Sequence, residues 1–290
     1  MKDRDIRIAA YAARFDRVFA HIDEHLGEPL TVERLSRVAN FSKYHFHRQF
    51  SQYAGIGVAR YIQLRRLRRA SYRLAFEAET SILDIALEAG FENPESFSRA
   101  FKKAFGQTPS RFRRGADWRP WTQTCQLPRP ERRHHMDVTL IDFPDTRVAV
   151  LEHHGDPALI NATAQTFIEW RKATGLSPVA TAETLGIAYD DPATTPAERF
   201  RFDLCGSVTA PVPANEHGVV NKWIPGGRCA VVRHRGSHDR LDEAAYYLYR
   251  EWLPNSGEEL RDFPLFFHYR NLMPETPEHE LVTDVCLPLV

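Results

Sequence analysis

The stretch "YHFHRQFSQYAG" at 44–55 returns as "ESFSRAFKKAFG" at 95–106, 51 residues later. In the first copy Phe46, Phe50 and Tyr53 recur at i, i+4 and i+7, one face of a helix, and Tyr44, His47, Arg48 and Ser51 take the opposite face. The same shift puts Phe97 and Phe101 on the apolar face of the second copy and Glu95, Ser98, Arg99 and Lys102 on the polar one. The correspondence continues outward, Gly55 to Gly106 and Tyr61 to Phe112. Upstream, with a one-residue slip, Leu35 matches Ile85, Ala39 matches Ala89 and Phe41 matches Phe91. A chain that repeats such a pattern folds one supersecondary unit twice.

Each copy reads as a short helix, a tight turn and a second helix. Thr31 and Ser42 are the natural N-caps of the first unit. Ser81, the terminating Gly90, Asn93 as cap and Pro94 at the first helical position lay out the second. That is a helix-turn-helix, whose second helix enters the DNA major groove. Arg48 and Arg99 can each donate two hydrogen bonds to a guanine edge, and Tyr44 and His47 suit thymine methyls or phosphate. One copy alone is equally well an amphipathic helix with a solvated face; two copies with an arginine at the same place favour base reading. Between them "VARYIQLRRLRRASYRLAFE" reads as a helix of roughly 30 Å, long enough to set two reading helices about one DNA turn apart. Its Arg65, Arg66, Arg68, Arg69 and Arg73, with Ser51, Lys102 and the tail residues Arg111, Arg113 and Arg114, are expected at phosphates; some can pair instead with acids such as Glu77 or Glu79.

The segment "ALEAGFENPESFSRAFKKAFGQTPSRFR" resembles the DNA-binding module of the AraC/XylS transcription regulators, and the resemblance spans residues 8 to about 114. The module's N-terminal position is similar to the Rob-like branch. The resemblance implies that bases are read by Tyr44, His47 and Arg48 and then by Glu95, Ser96 and Arg99. Where the family commonly has small amides this chain has Pro94 and Glu95. A carboxylate there accepts from cytosine N4 and repels phosphate, so the second helix is expected to read different bases or to read weakly.

Charge divides the chain the same way. Residues 1–135 hold 25 Lys and Arg against 15 Asp and Glu, whereas the rest holds 13 against 23, so a zero net charge conceals a basic half and an acidic half. Residues 115–135, "GADWRPWTQTCQLPRPERRHH", carry three prolines and no periodicity and are expected to be a linker, with Trp118 and Trp121 free to pack on a neighbouring domain. The opening "MKDRDIRIAA" has no apolar core and is not expected to be a signal peptide, and no apolar run reaches the roughly 18 residues that span a bilayer. Cys125, Cys205, Cys229 and Cys286 form no CxxC pair, which fits a reducing, cytoplasmic setting. The histidine pairs His21/His25, His134/His135 and His153/His154 lack a cysteine or a second pair at ligand spacing and are read as surface or capping residues; neither metal nor cofactor is expected.

The acidic half is also duplicated. "AVLEHHG" (149–155) and "AVVRHRG" (230–236) share A-V-x-x-H-x-G at an offset of 81, kept by Asp203-Leu204-Cys205 and Asp284-Val285-Cys286. Each copy reads β-α-β-β. The expected architecture is therefore multidomain: an all-α double helix-turn-helix over 1–114, a linker over 115–135, and an α+β domain with an antiparallel sheet over 136–290. "GIAYDDP", "IPGGRCAVVRHRG", "EWLPNSG" and "TDVCLPL" resemble the GyrI-like effector domains. That resemblance implies an aromatic-lined cleft with a glutamate in a P-x-F-E-x-Y pattern. Here the segment is "PLFFHY", so Phe267 stands in place of the glutamate and a neutral apolar or aromatic ligand becomes the expectation. Tyr189, Trp223, Phe267 and Tyr269 are nominated to line the site; the alternative is that they are core aromatics.

These readings converge on a sequence-specific DNA-binding transcription regulator, not an enzyme, with double-stranded DNA and a small-molecule effector as partners and no membrane. Two alternatives stand beside it. One is a small-molecule hydrolase fused to a DNA-binding module, with Asp190 or His234 as acid or base. The other is an acidic domain that docks a protein such as RNA polymerase.

Overall fold

The computed structural model describes residues 2–125 and 136–290. They fall into two compact units, Met1–Arg133 and His134–Val290. No helix is long and apolar enough to cross a membrane among the described residues.

The first unit is all helical: α1 (Lys2–Glu24), α2 (Val32–Val38), α3 (Lys43–Ala54), α4 (Val58–Phe76), α5 (Ile82–Glu88), α6 (Pro94–Phe105), α7 (Pro109–Arg114) and α8 (Trp118–Cys125). The predicted caps are in place, because each polar side chain accepts an otherwise orphaned amide of the first turn. Thr31 accepts from Arg34, Ser42 from His45, Ser81 from Asp84 and Asn93 from Ser96. Helices α3 and α6 both end on a glycine in the left-handed region, Gly55 at φ 70° and Gly106 at φ 74°.

The 51-residue repeat is reproduced in its packing. Phe50 meets Tyr61 at 5.5 Å and 79°, and the equivalent Phe101 meets Phe112 at 5.4 Å and 77°. Phe46, Phe50, Phe97 and Phe101 are fully buried, so the apolar stripe on each helix is core in both copies. The first copy closes on Phe15, Val18 and Ile22 of α1. The second closes on Trp118 and Trp121, both buried in α8. Residues 115–125 were expected to be linker. They belong instead to the helical unit, because two tryptophans complete the second aromatic core where α1 serves the first. The remaining expected linker, with His134 and His135, lies outside the described residues.

The second unit contains β1 (Val138–Phe143), β2 (Thr146–His154), α9 (Ile160–Thr174), β3 (Thr184–Ala188), β4 (Arg201–Ser207), β5 (Val220–Ile224), β6 (Gly227–Arg235), α10 (Leu241–Tyr247), α11 (Leu253–Ser256), β7 (Phe266–Tyr269) and β8 (Val282–Pro288). All eight strands pair antiparallel in one sheet, in the order β1-β6-β8-β7-β3-β4-β2-β5. Each repeat has one strand more than the sequence pattern suggested. β1 and β5 precede the two β-α-β-β units, and each pairs with the other repeat's strand, β1 on β6 and β5 on β2.

The sheet is curled. β1 and β7 stand three places apart, about 14 Å in a flat sheet, yet the Phe143 and Phe266 rings meet at 4.8 Å. The inner face of the curl buries Val148, Val150, Leu185, Ile187, Phe266 and the thiols of Cys205, Cys229 and Cys286. The outer face carries the helices, α9 on β2 and β4, and α10 on β6 and β8. The central strands β7 and β3 therefore floor a groove between the two helices.

The repeated A-V-x-x-H-x-G motif now has a mechanical explanation. His153 donates from Nε2 to the Asp156 carbonyl at 3.1 Å, and His234 donates to the Ser237 carbonyl at 3.0 Å. Each ring thereby pins the turn that leads from strand to helix. Gly155 and Gly236 take φ values of 112° and 107°, which L side chains rarely adopt, and their amides donate to Phe200 and Leu281 across the sheet end. Burial lowers the pKa of both imidazoles below the ordinary histidine value. A histidine depressed in the folded state binds fewer protons folded than unfolded in acid. Its contribution is thus complete above about pH 6.5 and is lost as the pH falls through the folded value. The thermal midpoint of this unit should drop between about pH 7 and pH 5, measured by calorimetry. A His153→Asn, His234→Asn variant should show a lower midpoint at pH 7 and a shallower fall; an unchanged slope would show that other groups carry it.

Candidate nucleic-acid interface and ligand cleft

Helix α3 presents Tyr44, His47 and Arg48 to solvent, Tyr44 at 90% exposure despite its aromatic ring. Tyr44 is therefore a surface residue and no part of the core that the other face of α3 builds. On α6, Glu95, Arg99 and Lys102 are exposed. Ser96 is half-buried, and its hydroxyl donates to the Asn93 carbonyl at 2.9 Å, so part of its hydrogen-bonding capacity serves the helix cap. Ser51 likewise donates to the His47 carbonyl at 3.0 Å.

The arginines expected at phosphates divide into two groups. Arg69, Arg111 and Arg114 are exposed, as are Arg48, Arg99 and Lys102 of the two capped helices, and Arg69 helps hold the Glu77 carboxyl below the usual range. The others are committed inside the unit. Arg65 is buried and donates to Asp23 at 2.8 Å, tying α4 to α1. Arg66 is half-buried and donates to the carbonyls of Leu26 at 2.8 Å and Glu28 at 2.7 Å, satisfying acceptors just beyond the end of α1. Arg113 donates to the Thr80 carbonyl at 2.6 Å. Arg68 is buried 5.1 Å over the Trp121 ring, and Arg73 pairs with Glu77 and Glu88. The expectation of phosphate contacts is therefore corrected for Arg65, Arg66 and Arg113: their guanidinium groups hold helices together. Sequence periodicity put Arg65 and Arg66 on a charged helix, but α4 is packed on most of its circumference and turns both inward; Arg113, on α7, reaches back to the Thr80 carbonyl.

Arg66 also sets the second module. A Cβ built on Gly90, at φ +75°, would lie 2.9 Å from the Arg66 guanidinium carbon. One guanidinium thus touches the end of the first module and the turn that separates α5 from α6. Helix α4, about 28 Å long at 1.5 Å per residue, is the rod between them, and Arg66 is its cross-brace.

In the second unit the four nominated effector residues occupy three places. Phe267 and Tyr269 lie on the helix-bearing face, in the groove floor. Phe267 pairs in register with Gly186, a position 81 residues earlier, so the pseudo-twofold relating the repeats passes through this pair. One repeat supplies a ring there and the other supplies no side chain. A Cβ on Gly186 would meet the Phe202 ring at 2.5 Å and the Tyr269 hydroxyl at 3.1 Å. Phe202 stacks on Phe267 at 6.2 Å, and His238 meets Tyr269 at 4.9 Å. Burial raises the Tyr269 pKa, keeping its hydroxyl neutral.

Tyr189 points to the inner face. Its hydroxyl donates to the buried carboxylate of Asp203 at 2.9 Å, beside Lys222, which bonds Asp203 at 2.7 Å and Glu152 at 2.6 Å. Burial and that carboxylate push the Tyr189 pKa up to about 12. Trp223 is 53% exposed on the edge strand β5, with the Arg147 guanidinium 4.9 Å above it. It stands four strands from β7 in the sheet order. The structure therefore separates Tyr189 and Trp223 from the groove that Phe267 and Tyr269 floor. The pleat decides this, since Tyr189 shares parity with Leu185 and Ile187 of the inner core. Phe202 and Gly186 take their places; Gly186 lies in "GIAYDDP", where nothing local marks it as facing Phe267.

A duplicated helix-turn-helix with cationic, aromatic outer faces, joined to a pseudo-symmetric curled-sheet unit with a central groove, defines a DNA-binding transcriptional regulator with a small-molecule-binding domain. Residues 136–290 match the family described as the GyrI-like small molecule binding domain, and residues 35–115 match a helix-turn-helix domain. The first match spans more than half of the chain, and the chain belongs to the GyrI-like family. It is 51% identical over 154 residues to the probable transcriptional regulator YgiV of Escherichia coli K12, covering 53% of this chain and 96% of that one. It is 38% identical over 128 residues to the right origin-binding protein of Escherichia coli K12, covering 42% of this chain and 43% of that protein. Among solved structures, the EcmrR–DNA complex aligns at TM-score 0.46 and 18% identity, over 90% of this chain and 85% of that one.

Arg69→Ala and Arg111→Ala should each weaken DNA binding evenly across sequences and reduce the salt slope by about one. Arg65→Ala should lower the thermal midpoint and leave that slope nearly unchanged. A titration of affinity against salt for the three variants distinguishes contact from brace.

Proposed function

We propose that the chain is a one-component regulator in which the α3 and α6 faces read an operator and the groove between α9 and α10 binds a neutral, aromatic or largely apolar molecule. In the reading surface Tyr44, His47 and Arg48 contact bases first, Glu95, Ser96 and Arg99 contribute from the second helix, and Arg69, Lys102 and Arg111 hold phosphates. The observation that carries the ligand class is Phe267 on the pseudo-twofold, stacked on Phe202 and facing the side-chain-free Gly186. An aromatic floor with a neutral tyrosine beside it desolvates a planar apolar molecule at little cost, whereas a cation would lose hydration with only ring faces in return. That relatives of the chain are named as transcriptional regulators supports the same reading.

We infer further that the groove binds without turnover and that the protein works in the cytoplasm. The candidates for acid or base are Asp190 and His234, yet the Asp190 carboxylate accepts from Arg201 at 2.9 and 3.0 Å and the His234 ring pins a strand-to-helix turn. Binding regulates only if the ligand distinguishes the DNA-competent state from its alternative.

The test is a thermal-shift screen of the full chain against neutral aromatic, neutral aliphatic and cationic aromatic compounds. A ligand at 100-fold its dissociation constant stabilises by about 2.7 kcal/mol. Neutral aromatic hits lost in Phe267→Ala are expected, and Phe267→Glu should exchange them for cationic ones. Cationic hits on the unaltered chain would contradict the ligand class. In parallel, Arg48→Ala should cost about 1–3 kcal/mol of operator affinity and relax preference at one base position; unchanged specificity would remove Arg48 from the reading set.

A further inference from the structure

We propose that the end of α1 is a binding site for a divalent transition-metal ion of the zinc class, held by His21, Glu24 and His25, with the Arg34 guanidinium occupying the cation's place when no metal is bound. The three residues follow H-x-x-E-H spacing. The helical turn continues through His25, whose amide donates to the His21 carbonyl at 3.2 Å, so all three side chains leave one face. Their ligand atoms lie within 4.8 Å of one another. A tetrahedral site with metal–nitrogen bonds near 2.0–2.1 Å needs ligands about 3.3 Å apart. Two half-buried side chains and one exposed one reach that by small rotamer adjustments. The sequence reading set the His21/His25 pair aside for want of further ligands; Glu24, between them on the same turn, supplies the third.

Two partners fix the orientation of the rings. His25 donates from Nδ1 to Glu28 Oε1 at 2.7 Å, the carboxylate–histidine arrangement that fixes a tautomer and leaves the other nitrogen's lone pair for a metal. His21 accepts at Nε2 from the Arg34 Nε at 2.8 Å, so its lone pair is directed at a positive charge. Imidazole nitrogens with one carboxylate oxygen suit zinc, nickel or copper better than magnesium or calcium. Three protein ligands leave one position for water or for a group brought by a partner.

Arg34 connects this site to the reading module. It lies on α2 and also donates to Glu28 Oε2 at 2.6 Å, so a metal that displaces it from His21 leaves it one partner and frees one end of the α1–α2 link. Glu28 sits where Arg66 braces α1 through the Glu28 carbonyl. Metal occupancy therefore bears on the same junction that orients the first reading helix.

The experiment uses the full chain without a polyhistidine tag, titrated with zinc chloride by calorimetry and with cobalt chloride by visible absorption. One ion per chain is expected, with d–d bands for cobalt and an affinity reduced at least tenfold in His21→Gln and in His25→Gln. Glu24→Gln should weaken binding and shift the cobalt bands, and Glu28→Gln should weaken it about tenfold through loss of the histidine's orientation. Arg34→Ala should bind several-fold more tightly, a result that general damage to the fold does not produce. Circular dichroism of each variant confirms that exposed substitutions leave the helices intact. Absence of saturable binding at one equivalent, or binding that survives both histidine substitutions, overturns the site; weaker binding by Arg34→Ala overturns the role given to that arginine.

Discussion

The helical unit depends on guanidinium groups turned inward along α4. A helix with five arginines in nine residues would ordinarily be a solvated, DNA-facing surface, yet Arg65, Arg66, Arg68 and Arg73 each find an acceptor or a ring inside the unit. Arginine suits this because its planar fork satisfies several acceptors at once and stacks on aromatic faces while carrying its charge. Removing an acceptor such as Asp23 would leave a buried cation, so the arrangement tolerates change poorly and holds one geometry. A stiff, braced rod holds α3 and α6 at a fixed separation.

The second unit uses a different device for the same end. Two copies of one β-α-β-β motif meet back to back, and the leading strand of each copy crosses to the other, so neither half is a closed sheet alone. Histidine-pinned turns and left-handed glycines fix how each strand enters its helix. Symmetry then creates the groove, since the helices lie on β2/β4 and on β6/β8, to either side of the central pair. The symmetry breaks at the centre: the equivalent positions Gly186 and Phe267 differ, and the floor becomes one ring wide.

The inner face shows a second broken symmetry with a structural outcome. Asp203 and Asp284 are equivalent, buried and each neutralised, but by Lys222 and a tyrosine hydroxyl in one repeat and by Arg233 and Arg270 in the other. Those charges pull the Asp284 carboxyl below the usual range despite its burial. A buried carboxylate so compensated specifies register more than it adds stability, because a slipped strand would leave it unpaired.

The sequence by itself determined the two duplications, the helix-turn-helix boundaries, the caps at Thr31, Ser42, Ser81 and Asn93, and the exposed placement of Tyr44, His47 and Arg48. Those follow from local periodicity and capping chemistry, which act within a turn or two of helix and need no tertiary partner. It also marked His153 and His234 by their repetition, without revealing that they pin turns. Only the tertiary structure decided which arginines stay at the surface, that Trp118 and Trp121 are core, that β1 and β5 exchange between repeats, and that Tyr189 and Trp223 stand apart from Phe267. In each case the deciding contact joins residues distant in sequence, or depends on which face of a pleated strand a side chain takes. A charge or an aromatic ring reads the same in the sequence whether it meets solvent, a ligand or a partner 40 residues away, as Arg66 meets Leu26; only packing distinguishes them.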